Sequence, residues 1–132
     1  MPIRVVRLGT PRAKGEGVRL GTVRRPPRGV KKQDFARLDY FDVWMPDLAP
    51  SAPLFKLATA EPLTDKRWAT FARKYRSEMN APAPQRLIAV LAALSKDASF
   101  SVGCYCENES RCHRSLLRQL LADAGASLVG PV

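Results

Sequence analysis

Residues 100–125, FSVGCYCENESRCHRSLLRQLLADAG, change their hydrophobic period part-way along, and that change constrains the fold more than any other stretch. From 100 to 106 large and small residues alternate, as in a buried strand. From Cys112 onward Leu116, Leu117, Leu120 and Leu121 share one helical face, and Gly125 supplies a stop. A strand, the polar loop ENESR and a helix, in that order, belong to a layered α/β domain. They put Cys112, His113, Arg114 and Ser115 at a helix start just past a strand end, where backbone amides carry partial positive charge.

The rest of the chain fits the same layers. Residues 3–8 (IRVVRL) and 18–23 (VRLGTV) are rich in β-branched side chains and read as strands, separated by a turn-forming stretch with Gly15 and Gly17. Residues 33–39 suit a short helix, and 40–45 (YFDVWM) a third strand closed by Pro46. Ser51 is placed to cap a helical turn that has Pro53 near its start. In 64–79, Thr64 caps a helix on which Trp68, Phe71, Ala72, Tyr75 and Met79 form one apolar stripe, read as core. Residues 85–95 form a helix buried against a sheet, and SLV near residue 128 an edge strand. The expected fold is one α/β domain over residues 1–132, its mixed or mostly parallel sheet of about four to five strands flanked by helices.

At 132 residues and 45% hydrophobic content the chain is long enough for one core and too short for two. No run approaches the roughly 18 to 20 apolar residues that cross a bilayer, and the first residues lack the apolar segment of a secretory signal, so no membrane partner and a cytoplasmic location are expected. Three cysteines crowded into residues 104–112 make a poor disulfide framework and suit a reducing compartment. The net charge of +10 is concentrated at one end: residues 1–32 hold ten Lys and Arg against the single acid Glu16. Such a region attracts phosphates or nucleic acid by salt-sensitive forces, or serves as a solvated surface.

Three chemistries compete for the segment around Cys112. An anion site would draw on free helix-start amides, His113, Arg114 and Ser115, completed by Arg24 or Arg28 from the loop RRPPRGVKK at 24–32. Thiol chemistry would use Cys112 with His113 as the catalytic pair, since Arg111, His113 and Arg114 flank the sulfur, and Cys106 as partner thiol. A metal would use Cys104, Cys106, Cys112 and His113. The C-x-C spacing is unusual for zinc, and the adjacent Cys112 and His113 are not expected to converge on a shared ion, so neither a metal nor another cofactor is expected. A phosphatase loop requires arginine six residues after its cysteine, whereas Ser110 and Cys112 stand six after Cys104 and Cys106. Cys104 itself reads as a buried structural thiol. The expected ligand is a phosphate-containing small molecule or another anion, with nucleic acid the alternative partner.

These blocks, taken together, resemble the DUF488 family over residues 3–125. The likeness is carried by Arg24, Pro27, Arg28, Gly29, Val30, Lys31 and Lys32 in the basic loop, and by Trp44 ahead of Ala49, Pro50 and Ser51. It is carried further by Trp68, Phe71, Tyr75 and Glu78 on the long helix, and by Cys112, His113 and Arg114 after a cysteine-rich strand. Val23 and Pro26 depart from it, standing where relatives usually have an acid and a tryptophan. The resemblance implies an α/β fold and no assigned activity, and it implies that the basic loop and the Cys-His-Arg segment form one site.

Overall fold

The strand expected at the start of 100–125 becomes the centre of the sheet. The computed structural model describes residues 2–59, 63–106 and 111–129. In it β4 (Phe100–Cys104) lies between β1 (Ile3–Arg7) and β2 (Val18–Gly21), and β3 (Val43–Trp44) extends the sheet beyond β2. Every neighbouring pair is parallel, with Val102 opposite Val5 on one side and Leu20 on the other. All residues of β4 are buried, as a strand needs to be when both its edges are paired and both its faces covered.

The helices among the described residues are α1 (Ala52–Thr59), α2 (Asp65–Met79), α3 (Pro82–Leu94) and α4 (His113–Asp123). The stripe read from residues 64–79 is core: Phe71, Ala72, Tyr75 and Met79 are buried with Ile3, Leu20, Val102, Leu117 and Leu121, and Trp68 packs at the edge. Thr64 caps α2 by accepting the Arg67 N–H at 3.2 Å. Thr64→Ala is therefore expected to cost about 1 kcal/mol in denaturant unfolding. Ser51 performs two tasks at the start of α1. Its Oγ accepts the Leu54 N–H at 3.4 Å and donates to Glu78 of α2, whose other carboxylate oxygen accepts the Ser51 N–H at 2.9 Å.

Several elements differ from expectation in extent. The third strand shrinks from 40–45 to two residues because Asp42 substitutes side-chain contacts for ladder bonds: its carboxylate accepts the Arg19 N–H at 2.8 Å and pairs with Arg12 at 2.8 Å. Phe41, buried, lies across Gly21, where a Cβ would come within 2.3 Å of the ring. The helix expected at 33–39 is a 3-10 turn, Lys32–Asp34, followed by turns that end on Asp39 at φ 61°. The edge strand near residue 128 is a single bridge, Ile3 with Leu128. Residues 107–110, most of the ENESR loop, lie outside the described residues.

The link from β1 to β2 crosses β4 without a helix, so the polar groups of loop 8–17 have no ladder of their own. A buried ion pair takes its place. Arg19, fully buried, binds Glu16 through Nε at 2.7 Å and Nη2 at 3.0 Å, and its Nη1 donates to the carbonyls of Thr10 at 2.8 Å and Asp39 at 2.7 Å. Glu16 also accepts from Ser101 Oγ of β4 at 2.7 Å and from the Ala13 N–H at 3.1 Å. Burial alone would raise the Glu16 pKa, but these bonds, led by Arg19, hold it down at about 2.

Candidate functional site

The carboxyl ends of the parallel strands gather a second, smaller apolar cluster of Leu8, Val23, Phe41, Cys104 and Cys112. Beside it opens a cavity of about 560 Å³. The cavity is lined from two directions: Arg25, Pro26, Pro27 and Arg28 from the basic loop, and Cys104, Cys106, Cys112 and His113 from the end of β4 and the start of α4. Tyr40, Tyr105, Phe55 and Phe71 add aromatic walls. This position, outside the carboxyl edge of a parallel sheet, follows from the topology, since only there do several loops converge without crossing a strand.

The three sulfurs lie within 4.8 Å of one another. Adjacency argued against Cys112 and His113 sharing an ion, whereas Cys112 meets Cys104 and its partner thiol Cys106 because α4 starts beside the end of β4. All three cysteines are free. Cys104 and Cys112 are buried, whereas Cys106 is exposed. That difference decides which sulfur carries charge, because a thiolate needs solvation or donors. Thiols of Cys104 and Cys112 hydrogen bond to Cys106 and, helped by His113 and Arg114, lower its pKa against the cost of its partial burial. The same bonds to Cys106 and Cys112, followed by burial, push Cys104 up. For Cys112 the bond with Cys104 favours the anion, but the bond to Cys106 and burial outweigh it and push the thiol up to about 11.

His113 Nε2 lies 2.6 Å from the Thr22 carbonyl oxygen, which can only accept, so Nε2 carries the proton. Nδ1 is then the acceptor and faces Cys112 Sγ at 3.8 Å. Burial pushes the His113 pKa down, against the Thr22 bond that raises it. Tyr75 holds the ring from α2, with centroids 5.6 Å apart, and its own hydroxyl donates to the Leu48 carbonyl at 2.8 Å.

The four anion-site candidates separate into different places. Arg28 lines the cavity, is exposed, and has no hydrogen-bond or ion-pair partner among the described residues. Arg24 also borders the cavity, but its guanidinium clasps the carbonyls of Pro50 at 2.9 Å, Pro46 at 3.0 Å and Ala49 at 3.2 Å. Arg114 is buried behind the cysteines and donates through Nη2 to the Cys106 carbonyl at 2.5 Å; its Nε has no partner among the described residues. Ser115 turns its hydroxyl back on the Cys112 carbonyl at 2.9 Å. Arg24 and Arg114 thus fix the two halves of the site, one holding the loop and the other the turn that carries Cys106.

Two further arginines lining the cavity were not among those candidates. Arg25 is exposed in the loop, whose backbone is held by Tyr105 Oη donating to the Arg25 carbonyl at 2.9 Å. Arg111 pairs with Asp65 and lies 5.8 Å from the centroid of Trp68. The basic end of the chain is also less open than its composition suggests. Arg19 is sequestered with Glu16, and Arg12 pairs with Asp39 and Asp42, which leaves Arg25, Arg28, Lys31 and Lys32 as a run of exposed cations on one loop. Among the described residues no helix is long and apolar enough to cross a membrane.

No curated protein and no solved structure matches the chain. A family profile described as "Active DUF488-N3 subclade" matches residues 3–125. The match spans both halves of the cavity, and the residues that first suggested the family sit where they hold that cavity together: Trp44 Nε1 on the Val23 carbonyl at 2.8 Å, Glu78 on Ser51, Tyr75 on His113, and Arg114 on Cys106. The chain belongs to the DUF488 family.

Proposed function

We propose that the protein binds a phosphate- or carboxylate-bearing small molecule in the cavity at the carboxyl edge of the sheet, and that Cys106 is the thiol presented to it. The observation that carries this reading is one cavity lined both by the exposed cations Arg25 and Arg28 and by the three cysteines with His113. An arginine fork with no partner among the described residues meets an anion with two charge-assisted bonds. The aromatic walls favour a ligand with a planar apolar portion beside its charge. Burial and the bond to Cys106 hold Cys112 protonated, so that Cys112 donates to Cys106 rather than acting itself. The description of the matching profile as an active subclade accords with chemistry rather than binding alone. Three free thiols accord with a reducing compartment such as the cytoplasm.

The test is titration with inorganic phosphate or sulfate, followed by calorimetry or by thermal shift. Arg28→Ala is expected to weaken binding about tenfold or more, since hydrogen bonds to charged groups contribute roughly 1.5–3 kcal/mol. Unchanged affinity in that variant rejects the assignment. The run Arg25, Arg28, Lys31 and Lys32 also supports a second reading, binding of nucleic acid by the same loop. Its signature is affinity that falls steeply with salt and survives Cys106→Ser.

A further inference from the structure

We infer that Cys104, Cys106 and Cys112 together form a binding site for a thiophilic metal ion, held by three sulfurs with a fourth position open to the cavity. A tetrahedral ion with metal–sulfur bonds of about 2.3 Å sets its sulfurs about 3.8 Å apart. The three sulfurs already lie within 4.8 Å of one another, so closing on an ion takes shifts of less than about 1 Å. Small χ1 rotations provide that much, and no backbone rearrangement is required. Two sulfurs come from the last residue of β4 and the second residue past it, and the third from the N-cap of α4. The convergence therefore depends on the fold and not on a local knuckle, which is why the unusual C-x-C spacing does not forbid it.

The surroundings suit such an ion. Three thiolates and a divalent cation leave one net negative charge. Arg114, buried behind Cys106 and bonded to its carbonyl, and the first turn of α4 both face that charge favourably. The sulfurs of Cys104 and Cys112 sit in an apolar cluster, and no carboxylate joins the three within the same reach among the described residues, so hard cations such as magnesium have no oxygen ligands to use. His113 is not within the same reach of all three sulfurs, so it stays a neighbour of Cys112 and leaves the fourth position to a ligand from the cavity.

This site does not depend on anion binding by the arginines. It does make the two states of Cys106 exclusive, since the sulfur is either bound to metal or free to react. Binding displaces the protons of the Cys104 and Cys112 thiols.

The experiment uses the full chain, reduced and stripped of metal, titrated with zinc against a chromogenic chelator, with stoichiometry from native mass spectrometry. One zinc per chain is expected, with no response to magnesium, and zinc should protect Cys106 from iodoacetamide. Cys106→Ser removes a ligand without touching the core, and should weaken zinc binding by well over about tenfold, because loss of a mere supporting partner already costs 10–100-fold. Cys104→Ser and Cys112→Ser, checked for folding by circular dichroism, should do the same. Absence of zinc binding to the unaltered chain, or undiminished binding in Cys106→Ser, overturns the inference. Phosphate titration of the metal-free protein and its Arg28→Ala variant reports on the anion reading alone, so the two fail separately.

Discussion

Replacing Arg19 by methionine is expected to destabilise the protein by about 3–5 kcal/mol in chemical denaturation, the usual consequence of leaving one member of a buried ion pair alone. Domains of this size are held by roughly 5–15 kcal/mol, so the variant should sit close to its unfolding threshold at room temperature. The loss is concentrated in loop 8–17, because the same guanidinium also holds the Thr10 and Asp39 carbonyls. Removing both charges, as Glu16→Met with Arg19→Met, should recover part of the loss. Acid supplies an independent reading. Glu16 has its folded pKa depressed to about 2, below the ordinary carboxylate value, so the stability it contributes is present above the unfolded value near about 4.3 and is lost as pH falls toward 2. That contribution is roughly 3 kcal/mol by linkage. Unfolding free energy measured from pH 5 to 2 should fall steeply in the unaltered chain and much less steeply in Arg19→Met. Equal slopes in the two proteins would refute the role given to the pair.

The second large effect concerns which cysteine reacts. Iodoacetamide at neutral pH should modify Cys106 first, with Cys104 and Cys112 slower by on the order of a hundredfold, since the thiolate is the nucleophile and both buried thiols are held protonated. Peptide mapping over time separates the three. Cys106→Ser should abolish the fast phase, whereas Cys112→Ala should slow it, because Cys106 then loses one side-chain donor. Labelling that begins at Cys112 would make that residue the reactive thiol instead, and equal, slow labelling of all three would return the cysteines to a structural role.

The contrast between these two sulfurs marks where sequence reading reached its limit. The pattern around Cys112 pointed to residues that line the cavity, because a helix start beside a strand end is a local signal that hydrophobic period reveals. Exposure is not local. Cys106 lies open only because β4 stops at Cys104 and Arg114 draws the next turn back, and neither event has a pattern of its own. The arginines divide for the same reason. Arg24 and Arg28 look alike in RRPPRGVKK, yet three carbonyls of residues 46–50 reach only Arg24. Helix α2 was legible almost to its ends, since its stripe and its cap are written within residues 64–79. Helix α1 announced its cap at Ser51 but not its length, because much of its anchoring comes from Glu78, twenty-seven positions away. One signal was present and not used: Glu16 is the single acid among ten cations and stands three residues before Arg19, at the spacing of a pair.

The central place of β4 has a consequence for how the chain is made. β1 and β2 both pair with a strand nearly a hundred and some eighty residues later, Ile3 and Val18 alike meeting Phe100. During synthesis those first two strands wait without a partner until β4 has left the ribosome, and only the short β2–β3 contact can form early. Such long-range parallel pairing slows folding and prolongs the exposure of unpaired edges. Cys104 is the last residue of the strand that ends this wait. Assembly of the sheet and convergence of the sulfurs are therefore one late event, and a nascent chain stalled before residue 104 would have neither.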